Sequence, residues 1–120
     1  MKIVLVDDSE LDLMINRKII ELTYGESLIS SFDDSDKFFT YLEDGEDPQI
    51  IISDMQMPKT TGLELASRYI DRYGENKAKL VLLTAYVDEQ IKNKVREVSE
   101  CIHLVEKPLN QNILKALVSA

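Results

Sequence analysis

Five side chains with site chemistry stand where apolar strand patterns stop: the adjacent carboxylates Asp7 and Asp8, then Asp54, the Thr84 hydroxyl and the Lys107 ammonium. Each has an ordinary alternative. Asp54 at the tip of Ile50-Ile51-Ile52-Ser53 either caps the next helix or works at a site on a sheet edge. Asp7 and Asp8 fit a solvated turn before a helix N-terminus, Thr84 fits a helix cap, and Lys107 fits a surface lysine before Pro108. In combination the types fit one chemistry. Three carboxylates brought together raise one another's pKa. They are tolerable around a hard cation such as Mg²⁺, which takes oxygen ligands from one or two carboxylates, waters and phosphate. Lys107 adds a fixed positive charge and Thr84 a neutral donor. A nucleophilic oxygen, a metal, a cation and a donor are the parts of a Mg²⁺-assisted phosphoryl site.

For these residues to converge, the chain must bring distant strand ends to one edge. Five apolar runs alternate with five helical patterns. The expected strands are Ile3 to Val6, Leu28 to Phe32, Ile50 to Ser53, Leu80 to Leu83 and Cys101 to Val105. The run with Ile50, Ile51 and Ile52 suits a strand buried on both faces, and the serines of Leu28 to Phe32 suit an edge. Ser9 is the expected N-cap of the first helix, with Asp12 in a capping-box position. Its stripe is Leu11, Met14, Ile15, Ile19 and Leu22, stopped by Gly25. The second helix begins near Asp34 or Ser35, carries Phe38, Tyr41 and Leu42, and ends at Gly45. Leu63, Ala66, Ile70 and Tyr73 mark a third, closed by Gly74. Val87, Ile91, Val95 and Val98 mark a fourth, and Ile113, Leu114 and Leu117 a last one from Asn110.

Strict alternation with short joins implies parallel strands and right-handed crossovers. Five βα units are too few for an eight-stranded barrel, so the expected architecture is α/β, an open doubly wound sheet with helices on both faces. Ligands then bind beyond the carboxyl ends of the strands, where strand order reverses.

At 120 residues the chain has room for one core and one domain, spanning 1–120. A net charge of −8 argues against direct contact with nucleic acid or an anionic membrane. Neither a membrane-length apolar run nor a charged-then-apolar leader is evident. The single cysteine, Cys101, cannot pair internally, and its apolar surroundings suggest a buried structural thiol; a cytoplasmic setting is expected.

Four motifs at the strand ends, Val4-Leu5-Val6-Asp7-Asp8-Ser9, Ile52-Ser53-Asp54-Met55-Gln56-Met57-Pro58 with Gly62, Leu83-Thr84-Ala85 and Val105-Glu106-Lys107-Pro108, carry a resemblance. Over its whole length the chain resembles the CheY-like receiver domains of two-component response regulators. That resemblance implies a flavodoxin-like three-layer (βα)5 sandwich with strand order 2-1-3-4-5. It implies that Asp54 accepts a phosphoryl group from a phosphohistidine on a sensor histidine kinase or histidine phosphotransfer protein. Asp8, Asp54 and the main-chain carbonyl of Gln56 would ligate Mg²⁺, with Asp7 helping through water. Lys107 would pair with the phosphoryl oxygens, and Thr84 would hydrogen-bond one of them. Such a chain catalyses only its own modification and slow hydrolysis, and is a switch rather than an enzyme.

The implied output is a change in the face formed by the fourth helix, fifth strand and fifth helix, which docks a downstream protein; the chain would be a monomer or a phosphorylation-dependent dimer. The family places an aromatic residue three before the lysine. Here that count gives Leu104, whereas nineteen residues beyond Thr84 gives His103, so one extra residue is expected between the fourth helix and Lys107. Gln56 and Tyr86 flank the path of an attacking water, and a bulky Tyr86 would shield the phosphoryl group. Three rivals fit less well. A haloacid-dehalogenase-type phosphatase needs Asp-x-Asp after the first strand, where this chain has Asp7-Asp8-Ser9-Glu10. A flavodoxin needs a Ser/Thr/Gly-rich phosphate loop there. A degenerate receiver would lack some of the acids, Thr84 or Lys107, all of which are present.

Overall fold

In a computed structural model, which describes residues 1–25 and 28–119, the chain alternates strand and helix throughout. The order is β1 (Lys2–Val6), α1 (Glu10–Tyr24), β2 (Leu28–Phe32), α2 (Ser35–Glu43), β3 (Ile50–Asp54), α3 (Gly62–Tyr73), β4 (Lys79–Thr84), α4 (Glu89–Val98), β5 (His103–Glu106) and α5 (Gln111–Ser119). The strands form one sheet in the order β2-β1-β3-β4-β5, every neighbouring pair parallel. The chain leaves β1 toward β2 and returns to β3 on the other side. The reversal point therefore lies between the carboxyl ends of β1 and β3, where Asp7 and Asp54 stand.

Strand alternation sorts the core into two layers. Val4, Val6, Ile51, Leu80 and Leu82 face α2, α3 and α4, packing against Phe38, Phe39, Leu65, Tyr69 and Val95. Ile3, Leu5, Ile50, Ile52, Val81 and Leu83 face α1 and α5, against Ile20, Leu114 and Leu117. All five residues of β3 are buried. Each of its isoleucines contributes roughly 1.5–3 kcal/mol of burial, which holds the strand rigidly under Asp54. The serine-containing β2 is an edge strand, as its pattern suggests.

Caps fix where the helices begin. Asp34 accepts from the Lys37 amide, Thr61 from Glu64 and Asp88 from Ile91, each N-cap satisfying a free amide of the first turn. The Asn110 carboxamide does the same for Ile113 before α5. Helix α3 is therefore capped by Thr61 and α4 by Asp88, which releases Asp54 and Thr84 from the capping roles open to them in the sequence. Gly25, with φ of 70°, ends α1, and Gly45, with φ of 92°, follows α2.

Three expectations need correction. Of the expected α1 stripe only Ile19 packs inward; Leu11, Met14, Ile15 and Leu22 face outward, with Leu11 65% and Met14 68% exposed. The inner face of α1 is Ile20 with Leu13, Ile19 and Tyr24. The helix carries two apolar stripes at helical spacing, so periodicity alone does not choose between them. The fifth strand begins at His103, not Cys101, because the chain is still turning after α4, with the Cys101 amide donating to Ser99 Oγ at 3.0 Å. Cys101 is consequently exposed, its Sγ 3.9 Å from Glu75 Oε2, and Ile102 takes the buried place.

Candidate functional site

Backbone ladders that run past the strand ends gather the site. The Asp7 amide donates to the Phe32 carbonyl at 3.0 Å, Met55 to Leu83 at 2.8 Å and Lys107 to Thr84 at 2.8 Å. These bonds tie the tip of β1 to β2 and those of β3 and β5 to β4, and the pairing of Val6 with Ser53 joins the two groups into one edge. Asp7 is buried at 2% exposure, Asp54 at 6% and Thr84 at 4%, whereas Asp8 lies open. The carboxylates of Asp7, Asp8 and Asp54 each place an oxygen within 4.8 Å of the others. Lys107 Nζ lies 2.7 Å from Asp54 Oδ1, a charge-assisted hydrogen bond. Gln56 occupies the exposed loop two residues beyond Asp54. Thr84 belongs to the same edge, but its hydroxyl donates to the Tyr86 carbonyl at 3.1 Å.

The electrostatics are unbalanced toward the acids. Asp7 Oδ1 accepts from the Ser9 amide at 2.9 Å, yet its Oδ2 is buried without a hydrogen-bond partner among the described residues. Burial pushes the Asp7 pKa up to about 6; the Ser9 amide pulls against this, and the charges of Asp54 and Asp12 add to it. Burial also works against the Lys107 ammonium. The Asp54 hydrogen bond and the negative charges of Asp54, Asp7 and Asp12 outweigh it and raise the lysine above its ordinary value. One ammonium among this many acids leaves the buried Asp7 Oδ2 uncompensated. An all-oxygen donor set with a spare buried acceptor fits a hard divalent cation.

Asp12 and Gly62 take on contacts at the site that the sequence pattern did not assign to them. Asp12, expected only as a capping-box partner, puts its Oδ2 3.7 Å from Lys107 Nζ. Its position in the first turn of α1, directly after the Asp7-Asp8-Ser9 segment that follows β1, is the signal that places it at the same edge. Gly62 is packed so closely under the tip of β3 that a Cβ there would collide with the Asp54 carbonyl. Its amide bonds the Met55 carbonyl at 2.9 Å, closing the loop that carries Gln56.

A family model described as the response regulator receiver domain matches residues 3–119. The chain belongs to that family. Among solved structures, a two-component response regulator from Cytophaga hutchinsonii is 28% identical with a TM-score of 0.87, covering 98% of this chain and 93% of that one. The chemotaxis protein CheY4 of Vibrio cholerae, at 21% identity and TM-score 0.80, shares the fold over 98% of this chain and 95% of its own. So does a CheX-CheY-BeF3-Mg complex from Borrelia burgdorferi, at 20% identity and TM-score 0.81, with 98% and 86% covered. No match was found among curated protein sequences. Receiver domains are signalling switches of two-component systems, not classical enzymes, and they bind Mg²⁺ at an acidic pocket; Asp7, Asp8 and Asp54 form the acidic group here. No helix among the described residues is long and apolar enough to cross a membrane.

In this receiver domain β5 settles which residue faces α4. Leu104 pairs with Leu82 and packs into the layer that includes α4, whereas Val105 packs toward α1 and α5. By alternation His103 shares the face of Val105. Leu104 also lines a cleft of about 300 Å³ with Val95, Ile102, Lys92 and Arg96.

Proposed function

We propose that residues 1–120 act as one receiver domain in which Asp54 accepts a phosphoryl group from a phosphohistidine of a sensor kinase or phosphotransfer protein. The observation that carries this is the Asp54 carboxylate, at the reversal point of the sheet, held 2.7 Å from Lys107 and beside two further acids. An Asp54 oxygen attacks phosphorus as the bond from phosphorus to the donor imidazole breaks, giving an acyl phosphate and a free histidine. Water later cleaves the acyl phosphate and restores the carboxylate. The carboxylates of Asp8 and Asp54 and the Gln56 main-chain carbonyl would hold Mg²⁺, with Asp7 assisting through water. The ion supplies neutralisation of the charge on the incoming phosphoryl group.

The chain's own residues do the rest. Asp54 is fixed by a fully buried strand, so little ordering is required at the moment of attack. Lys107, already beside Oδ1, would turn its ammonium to pair with a phosphoryl oxygen. Thr84 gives up the Tyr86 carbonyl and donates to another. That turn of Thr84 vacates space beside β5, and Leu104, which faces α4, is the residue placed to respond. The face of α4, β5 and α5 would then dock a downstream protein or a second copy, in the cytoplasm, as a biased two-state equilibrium. The test is incubation with Mg²⁺ and acetyl phosphate, read by intact mass. Wild type should gain one phosphoryl group and Asp54→Asn none; equal labelling of both would defeat the assignment.

A further inference from the structure

In a capping box, the carboxylate three residues into a helix reaches back to the N-cap amide. In α1 this arrangement is half made. The Asp12 amide donates to Ser9 Oγ at 3.2 Å, but the Ser9 amide is already taken by Asp7 Oδ1 at 2.9 Å. The Asp12 carboxylate is thereby free of its capping role, and it points instead to Lys107, with Oδ2 3.7 Å from Nζ. The ammonium stands between two anions, close to Asp54 at 2.7 Å and looser to Asp12. Lysine has three rotatable donors on a flexible stem, so it moves between such partners with little loss.

We propose that Asp12 is a positioning residue, a second anchor that receives Lys107 when a divalent cation claims the Asp54 carboxylate. The proposal rests on the metal site described above. Without the second anchor, a cation entering beside Asp54 must face the lysine's charge head on or strip it from its only partner. With it, the ammonium shifts toward α1 and stays paired. The lysine is then stored within reach of Asp54 for the arriving phosphoryl oxygens.

The Mg²⁺ affinity of metal-free protein, measured by calorimetry at 0.15 M salt, tests this in four chains: wild type, Asp12→Asn, Lys107→Gln and the double variant. The asparagine keeps the amide that donates to Ser9. Direct screened attraction between Asp12 and the ion accounts for about twofold to threefold in affinity. If Asp12 also receives the lysine, Asp12→Asn should weaken Mg²⁺ binding about tenfold when Lys107 is present. In the Lys107→Gln background only the direct part should remain, about twofold to threefold. Asp12→Glu, which keeps the charge, should stay near wild type. The same loss in both backgrounds overturns the proposal, as does a glutamate variant as weak as the asparagine one. Wild type that neither binds Mg²⁺ nor gains a phosphoryl group defeats the functional assignment itself, whereas normal wild-type behaviour with additive variants defeats only the role of Asp12.

Discussion

Replacing Asp7 by asparagine should stabilise the metal-free protein, and by an amount that depends on pH. The folded chain holds Asp7 at a pKa of about 6, because the side chain is buried with Oδ2 unpartnered beside Asp54. In the unfolded chain the group returns to about 3.9, so the difference is about two units, or about 3 kcal/mol at 1.36 kcal/mol per unit. The sign follows from proton linkage. A folded pKa above the unfolded one means that the folded state binds the proton more tightly. Its contribution is fully present below about pH 4 and is lost as pH rises through about 6. At pH 8 wild type therefore carries a buried charge that costs about 3 kcal/mol, and at pH 4.5 about 1 kcal/mol.

Asparagine keeps an oxygen to accept from the Ser9 amide and turns a donor toward the acids, at no charge. Urea unfolding followed by circular dichroism in EDTA should find Asp7→Asn more stable by about 3 kcal/mol at pH 8 and by about 1 kcal/mol at pH 4.5. The larger value corresponds to about 10 °C in Tm. Excess Mg²⁺ at pH 8 should narrow the gap, since the ion binds the wild-type folded state preferentially. A constant difference between pH 4.5 and pH 8, or a less stable variant at pH 8, would show that the Ser9 hydrogen bond outweighs burial, and the electrostatic account of the site would be wrong.

Gly62→Ala should destabilise the fold by about 1–3 kcal/mol and slow phosphorylation from acetyl phosphate, because the new methyl pushes on the backbone under Asp54; unchanged melting and labelling would count against that contact. Cys101 should alkylate in the folded protein at close to the rate of a free thiol, and protection until unfolding would contradict its exposure. Leu104→Ala should weaken phosphorylation-dependent partner binding while His103→Ala leaves it intact, since only Leu104 lies on the α4 side of the sheet; the reverse outcome would relocate the readout. Tyr86→Ala should shorten the life of the phosphorylated form a few-fold by opening the path for water, and an unchanged decay would remove shielding by this ring, which is 60% exposed.

The sheet was legible because its signals are local and redundant. An unbroken run such as Ile50 to Ile52 has no stable alternative to burial on both faces, and caps such as Ser9 and stops such as Gly25 mark the α1 boundaries independently of the stripe between them. The convergence of Asp7, Asp54, Thr84 and Lys107 then follows from parallel pairing, whereas the strand order was implied only by the family resemblance. What stayed hidden depends on direction rather than position. Helix α1 has apolar residues on two sides, and only the docking of Ile20 against the α5 side of the sheet decides which is inner. Cys101 lies next to apolar neighbours along the chain, but the turn after α4 sends Ile102 inward and the thiol out. Asp12 fits a capping box by spacing, and competition from Asp7 for the Ser9 amide, a contact between side chain and backbone, redirects its carboxylate.

That competition links the architecture to the switch. Asp7 is buried because β1 is central, and a buried carboxylate recruits the nearest amide it can, which is the one opening α1. Taking that amide costs the helix half of its capping box and frees Asp12 to meet Lys107. The lysine is tied to β4 by its main-chain amide on Thr84, and its ammonium reaches Asp54 at the end of β3 and Asp12 on α1, so these elements and β5 meet at one residue. A phosphoryl group on Asp54 would draw on Lys107 and Thr84 together. The strain of that change would fall on α1 through Asp12 and on β5 through Leu104, while the isoleucines beneath Asp54 stay fixed. With a buried β3 and a shared lysine, charge added at Asp54 would be converted into movement at the periphery of the domain, because its centre has nowhere to go.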